Sequence, residues 1–427
     1  MPQKLKLAAA QSRTLSTTAE TLHALEATTR KAASQGVDII LFPEAYLGGY
    51  PRTCTFGNAV GGRTTEGRDQ FLSYFHAAVD LGDTPSGGGD DWVERRLELP
   101  KGKKYRGDGT REELERIARE TGVFIVTGLV ERCAGTLYCG ALYVCPKAGV
   151  LGKRRKVMPT GSERVIWGQG SPSTLRAVTT EIKGVRLCMA AAICWENYMP
   201  LLRQALYSQN VNLWFAPTAD ARDSWASLMR TVGIEGRCAV VSANQCVKKS
   251  QLPEWITGES ATTTTTTTAN GNVSETAEPG HNRSRRRSTI TVTEDKHEIC
   301  WPIVEEKANG ASQPNGDGSA IEDEPQTAIH TAAPKSKLSQ SITHSAPQGQ
   351  VDPSGNEFVS RGGSCIVSPF GEVLSGPLWE VEDEMLIQKV DFEDCERGRL
   401  DLDVAGSYGR LDSFHLSVDG LDLNPPP

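Results

Sequence analysis

Residues 185–200 read VRLCMAAAICWENYMP. An apolar run of strand composition stops at Cys194, and Trp-Glu-Asn and a proline follow. Pro200 suits the first turn of a helix, where its missing N–H leaves nothing unsatisfied, and LLRQALYSQ (201–209) continues as that helix. A strand that feeds a helix through a short turn is the building unit of a layered α/β protein. The same turn gives Cys194 two readings. A helix N-terminus favours a thiolate lying near it, which makes the residue a candidate nucleophile. A buried strand cysteine is the commoner fate of a cysteine after MAAAI.

The alternation repeats on both sides of this stretch. KLKLAAAQ (4–11) and VDIILF (37–42) are short buried-strand runs separated by TAETLHALEATTRKAAS (18–34), which has helical composition. Asp108 with TREE at 110–113 predicts the start of a helix that runs to Thr121, and the strands VFIVTGLVE (123–131) and LYCGALYVC (137–145) follow. Beyond the quoted stretch come a strand, VNLWFAP (211–217), a helix, DSWASLMRTVGIEGR (223–237), and a strand, AVVSAN (239–244). This order argues an α/β fold.

The pattern stops between 258 and 355. Consecutive threonines (262–268), RSRRRS (283–288) and many small or polar residues replace any apolar period, which predicts a low-complexity, disordered insertion. Its apolar island, CWPIV at 300–304, reads as a stray cluster, and its arginines read as a solvated charge run. Strands resume at GNEFVSRGGSCIVSPFGEVLSGPLWE (355–380) around a turn at 369–372, so the insertion sits inside a single domain covering 1–427.

A net charge of −7 gives no basic field to neutralise phosphates, which argues against nucleic acid as a main partner. No run is long enough for a membrane span, and MPQKLKLAAAQ is too short in its apolar part for a secretory signal, so a soluble cytoplasmic protein is expected. The 11 cysteines form no CxxC pair, which suits a reducing compartment better than a disulfide framework or a zinc site. Cys133, Cys139 and Cys145 read as strand core rather than metal ligands.

A thiol nucleophile needs a base. Of the seven histidines, His281, His297, His330 and His344 fall in the insertion, where no base is held in place. His23, His76 and His415 stand in no context recognisable as a base beside a nucleophile. A carboxylate is the alternative, and Glu44 follows directly on the buried run VDIILFP. Burial there raises a carboxyl pKa toward the working pH, as a proton acceptor requires, although a solvated loop glutamate fits the position equally well. A third segment, GKRRKVMPTGSERVIWGQG (152–170), reads as a polar loop after a strand, with Lys156 and Glu163 seven residues apart. A lysine aimed into a closed site stabilises developing negative charge, and a second carboxylate holds it. Lys153, Arg154 and Arg155 read as basic surface. Tyr50, Asp220 and Arg222 are pocket candidates, with a helix-start role open for the last two.

Three of these segments, FPEAYLGGYPR (42–52), GKRRKVMPTGSERVIWGQG and ICWENYMPLLRQALY (193–207), together resemble the nitrilase branch of the nitrilase superfamily. The resemblance extends to RGGSCIVSP (361–369) and LDLDVAGSYGRLDSFHLSVDGLDLN (400–424) and leaves out the insertion. It implies a four-layer α-β-β-α sandwich whose subunits pair into a dimer or a longer spiral. It also implies roles: Cys194 as nucleophile, Glu44 as base, Lys156 and the Trp195 backbone N–H stabilising charge, and Glu163 orienting the lysine. The implied reaction hydrolyses a nitrile to a carboxylic acid and ammonia through a covalent cysteine intermediate, with no cofactor. A cyanide hydratase or amidase using the same residues is the alternative, and an inactive filament-forming scaffold is the alternative outside enzymes. One departure is Ser407 in Gly406-Ser407-Tyr408, where the family commonly has Gly-His-Tyr, and it bears on efficiency more than on reaction type.

Overall fold

The computed structural model describes residues 3–257, 355–423 and, as backbone, 288–292 and 298–302. The chain divides into two units, 1–262 with 349–427, and 263–348. In the second unit, β-pairing joins Ser288–Val292 and Glu298–Pro302 as an antiparallel ribbon, and the CWP of the expected stray cluster lies in its second strand. The rest of the expected disordered insertion, with its arginine run and four histidines, lies outside the described residues.

The first unit holds two sheets. In one, β1 (Lys4–Gln11), β2 (Ile39–Leu41) and β3 (Phe124–Cys133) run parallel, and two hairpins add β4 (Thr136–Cys145) and β5 (Gly149–Arg155). In the other, β6 (Val178–Ile182) pairs antiparallel with β7 (Val185–Ala191), and β8 (Leu213–Thr218) and β9 (Ala239–Asn244) follow β7 in parallel. The short strand β10 is Cys246–Lys248, and the ribbon strands are β11 and β12. After them β13 (Phe358–Val367) inserts between β9 and β10, β14 (Val373–Trp379) pairs with β13, and β15 (Glu384–Asp391) closes the first sheet against β1.

Period-two alternation explains why the sheets stack. In β1, Leu5, Leu7 and Ala9 face a core shared with Leu187, Met189, Leu213 and Phe215 of the other sheet, while Ala8 and Ala10 face the opposite side. In β8, Leu213 and Phe215 face that shared core and Trp214 and Ala216 face away. Strands buried on both faces read as continuous apolar runs, which is why they were legible as strands and illegible as to layer.

Helices cover the outer faces. On the first sheet, α1 (Thr18–Ser34) buries Leu25 and Ala32. Thr17 and Glu20 close α1 with reciprocal side-chain-to-backbone bonds. Helix α2 (Thr65–Ala77) instead joins the shared core through Tyr74, while the single turn α3 (Asp90–Val93) and α4 (Thr110–Thr121) cover the outer face, where Leu114, Ile117 and Ala118 of α4 join α1 against Ile40, Ile125 and Leu142. Asp108 accepts from the Thr110 N–H at 2.9 Å, as its spacing predicted, with Gly109 as the capping residue. On the second sheet, α5 (Pro200–Tyr207) and α6 (Ser224–Gly236) place Leu202, Leu206, Trp225 and Met229 over Cys188, Trp214 and Val240. The result is the four-layer α-β-β-α sandwich.

One expectation is overturned. Lys153, Arg154 and Arg155 are no surface loop: they end β5, and all three are buried, at 4%, 2% and 2% exposure. Lys153 Nζ lies 2.5 Å from both Asp83 Oδ2 and Glu131 Oε1, Arg155 Nε lies 2.7 Å from Glu131 Oε2, and Arg154 Nη2 lies 2.5 Å from Glu196 Oε2. The countercharges arrive from distant stretches, and a charge becomes tolerable in a core only when so paired. The buried side of helix α2, Gly67 and Tyr74 with partly buried Phe71 and Phe75, packs among aromatics including Phe56, so its apolar period is weak in the sequence. No helix among the described residues is long and apolar enough to cross a membrane.

Candidate functional site

The carboxyl ends of four strands deliver the site. Glu44 comes three residues after β2, Lys156 directly follows β5, Cys194 comes three residues after β7, and Thr218 ends β8. Strand ends are where an open α/β layer leaves room for a ligand. Here they border a cavity of about 430 Å³ lined by Tyr50, Arg52, Glu163, Cys194, Trp195 and Asp220, among others.

Glu44 reaches its position because the chain crosses β3 at Gly128. A Cβ there would stand 2.1 Å from the Pro43 carbonyl and 2.8 Å from Glu44 Cα, so only glycine fits. The Glu44 carboxylate is fully buried. Its Oε1 accepts from Lys156 Nζ at 2.7 Å and from the Cys139 thiol at 3.6 Å, while its Oε2 has no hydrogen-bond partner among the described residues. Lys156, also fully buried, donates to Glu163 Oε2 at 2.7 Å. Glu163 is itself held: Tyr50 OH donates to its Oε1 at 2.7 Å and the Thr160 backbone N–H to its Oε2 at 2.8 Å. The three charges therefore form a chain, Glu44–Lys156–Glu163, fixed at its far end by a phenol and a backbone amide.

The Cys194 turn is built by the residues that follow it. Cys194 takes the left-handed conformation (φ 51°), which is costly for a residue with a Cβ and persists only where its surroundings demand it. Asn197 Nδ2 donates to the carbonyls of Ala192 and Cys194 at 2.8 Å each, and Trp214 Nε1 holds the Asn197 oxygen at 2.9 Å. Glu196 accepts from Ile193 N–H at 2.8 Å and from Val157 N–H at 2.7 Å, which ties the turn to the segment carrying Lys156. The α-helix begins at Pro200 as expected, but Cys194 sits earlier, in the 3-10 turn Cys194–Tyr198. The thiol is not acidified there. Burial pushes its pKa well up, the charge of Glu44 adds to that, and Lys156 only partly offsets it. The expected thiolate-stabilising helix end is thus outweighed, and the sulfur keeps its proton until a base removes it.

Burial likewise raises the pKa of Glu44, against the pull of Lys156. Burial alone would depress Lys156, but Glu44 and the other negative groups around it hold the ammonium well above its ordinary range. The site therefore holds an ammonium between two carboxyl groups, beside a thiol that burial keeps toward its protonated form.

Of the sequence candidates, Glu44, Lys156, Glu163 and Cys194 come together, and Tyr50, Asp220 and Arg222 line the same cavity. Asp220 and Arg222 do not cap α6, which Asp223 precedes; Asp220 instead receives Trp195 Nε1 at 3.0 Å and pairs with Arg222 at 2.5 Å. His23, His76 and His415 are exposed and do not line the cavity, and neither does exposed Ser407. Two residues escaped sequence reasoning. Cys139 carried the signal of a strand-core cysteine, and nothing local marked its thiol as a donor to Glu44. Thr218, the last residue of VNLWFAPT, donates its hydroxyl to Cys194 Sγ at 3.3 Å while accepting from Asp220 N–H at 3.0 Å. The amide occupies the acceptor side and leaves the hydroxyl hydrogen for sulfur. Thr218→Val is expected to lower kcat/KM about tenfold, because a donor to the ionised form of the nucleophile is lost. Thr218→Ser restores it, and the pH at which Cys194 is alkylated by iodoacetamide rises in the valine variant alone. Equal rates in all three proteins would remove Thr218 from the reaction.

The sequence profile of the carbon-nitrogen hydrolase family matches residues 6–277. The chain is 33% identical over 407 residues to an arylacetonitrilase of Trametes versicolor (strain FP-101664), covering 93% of this chain and 91% of that one. It is 38% identical over 411 residues to a bifunctional nitrilase/nitrile hydratase of Lupinus angustifolius, covering 96% and 84%. The crystal structure of a carbon-nitrogen hydrolase from Helicobacter pylori G27 superposes with a TM-score of 0.52 at 12% identity, over 97% of this chain and 96% of that one, a likeness that concerns the fold alone.

Proposed function

This chain belongs to the carbon-nitrogen hydrolase family, a family of hydrolases acting on carbon-nitrogen bonds, and we propose that it is a nitrilase that converts a nitrile, with two waters, to a carboxylic acid and ammonia. The observation that carries this reading is the buried chain Glu44–Lys156–Glu163 beside a protonated Cys194 at one cavity. Glu44 takes the Cys194 proton as sulfur bonds to the nitrile carbon, and one carbon–nitrogen π bond becomes the nitrogen lone pair. Lys156, with a third N–H beyond the two given to Glu44 and Glu163, and the Trp195 backbone N–H stabilise that nitrogen, which the proton from Glu44 then neutralises to a thioimidate. Glu44 next removes a proton from water as it adds to the thioimidate carbon. That proton passes to nitrogen to give the amino adduct; the adduct's hydroxyl then yields its own proton through Glu44 to the amino group as the C–N bond breaks, so ammonia leaves and a thioester carbonyl remains. A second water, activated the same way, releases the acid and returns the proton to sulfur. Glu163 keeps the lysine charged and aimed. No step calls for a cofactor.

If the tetrahedral adduct expels sulfur instead of ammonia, the product is the amide. The name of the lupin relative, which covers both outcomes, keeps that second reading in play. A homo-oligomer and a reducing, cytoplasmic setting complete the proposal, and ten buried free cysteines among the described residues support the reducing setting.

Intact-mass spectrometry within seconds of mixing with a panel of aliphatic and aryl nitriles is expected to give an adduct of the substrate's mass, mapped by peptide digestion to Cys194, with ammonia and acid appearing on turnover. Amide as the sole product would replace the nitrilase reading with the hydratase one. No adduct and no product across the panel would leave the scaffold reading.

A further inference from the structure

Three cations stand at the site, Arg52 and Arg222 on the cavity wall and Lys156 behind it, and two are neutralised in place. Lys156 lies between Glu44 and Glu163, and Arg222 pairs with Asp220. Arg52 is the exception. Its Nη2 donates to the Ala219 carbonyl at 3.0 Å and its guanidinium lies 5.2 Å from the Tyr50 ring centroid, but no carboxylate oxygen among the described residues stands within 4.0 Å of it. Arg52 lines the cavity and is half-buried. A guanidinium offers five N–H donors in a planar fork that matches a carboxylate, and it stays charged at any working pH. Asp220 cannot serve it, being engaged by Arg222 and Trp195.

We propose that the substrate is an anionic nitrile, a cyano carboxylate whose carboxylate docks on Arg52 while its nitrile carbon reaches Cys194. This deepens the nitrilase reading and rests on it. A carboxylate docked on Arg52 completes the ion pair that neither Glu44 nor Asp220 makes with it, although their charges reach it, since each is already engaged by another cation. Stacking on Tyr50 and the bond to Ala219 hold the guanidinium still before the substrate arrives, which preserves the entropy that a free arginine would lose on binding.

The test compares 3-cyanopropanoate and 4-cyanobutanoate with their uncharged isosteres 4-methylpentanenitrile and 5-methylhexanenitrile. At least one cyano acid should exceed its isostere in kcat/KM by about tenfold, the scale of a charge-assisted bidentate pair. Arg52→Met should bring that ratio to about one, and Arg52→Lys should restore part of it. Binding to the Cys194→Ala protein, followed by calorimetry, should show the same order of affinities and the same dependence on Arg52. If both isosteres are used as well as the acids, or if Arg52→Met slows acid and isostere by one common factor, Arg52 merely braces the Ala219 loop and the proposal is overturned. Ammonia from neither set, with Arg52-dependent preference for the acids still present in Cys194→Ala, would sink the hydrolytic reading and leave the anion site standing.

Discussion

Replacing Glu44 with glutamine is expected to lower kcat/KM by about a thousandfold, within the range that general-base catalysis contributes, while leaving the fold in place. Glutamine is nearly isosteric, and its amide oxygen can keep the 2.7 Å contact from Lys156 that Glu44 Oε1 now makes. The amide nitrogen then occupies the place of Oε2, the oxygen with no partner among the described residues. That oxygen is the one free to accept a proton, and an amide nitrogen cannot. Because burial and the Glu44 charge hold the Cys194 thiol well above its ordinary pKa, no useful thiolate exists without the base. The pH dependence follows with a definite sign. Burial favours the neutral carboxyl, so Glu44 ionises above its ordinary value of 4.5. The wild-type rate therefore rises with pH along an acid limb displaced above that value. The glutamine variant lacks this limb, and its residual rate climbs only in alkali, where the thiol ionises unaided. Ammonia release measured across the pH range, with Tm as a check on folding, decides the matter. A variant within tenfold of wild type, or one that keeps the acid limb, removes Glu44 from the base role.

Local and non-local information part company within this chain. Helix α1 and strands β1 and β9 have the boundaries their sequence patterns predicted, since capping residues and apolar runs are properties of neighbours in the chain. The stacking of two sheets was not readable that way: Leu213 and Trp214 are equally apolar, and only the tertiary structure turns one toward the other sheet and the next toward α5 and α6. The site divides along the same line. From residues alone Cys194 was more plausibly a core cysteine and Glu44 an undecided loop residue; the resemblance of three segments set them apart. The same resemblance carried nothing about Cys139, Thr218 or Arg52, whose importance lies in what they face. Misjudging the KRR of β5 has the same physical root. A run of three cations reads as solvated unless Asp83, Glu131 and Glu196, which come from three other segments, are known to meet it.

That buried run supplies the second large effect. Arg154→Met is expected to destabilise the protein by about 3–5 kcal/mol, the cost of leaving one partner of a buried ion pair alone, and to lower Tm on the order of 10 °C. Arg154 and Glu196 are almost wholly excluded from solvent, and the arginine also donates to the Ala191 carbonyl at the end of β7. Methionine fills much of the volume but strands the Glu196 carboxylate, which would retain only the backbone N–H groups of Ile193 and Val157. Those two amides lie on either side of the site, one before Cys194 and one after Lys156, so a shift of Glu196 moves nucleophile and lysine relative to each other. A misalignment on the order of 1 Å can cost a hundredfold in rate. Adding Glu196→Gln removes the stranded charge while keeping one amide oxygen as acceptor. The double variant should accordingly regain part of the stability yet stay slow, because one oxygen cannot hold both segments. Urea unfolding of the four proteins of the cycle measures the coupling, and kcat/KM of the same four separates alignment from stability. A loss below about 1 kcal/mol for Arg154→Met, the value of an exposed pair, would mean that this strand end is solvated after all and that the turn carrying Cys194 is held by Asn197 and Trp214 alone.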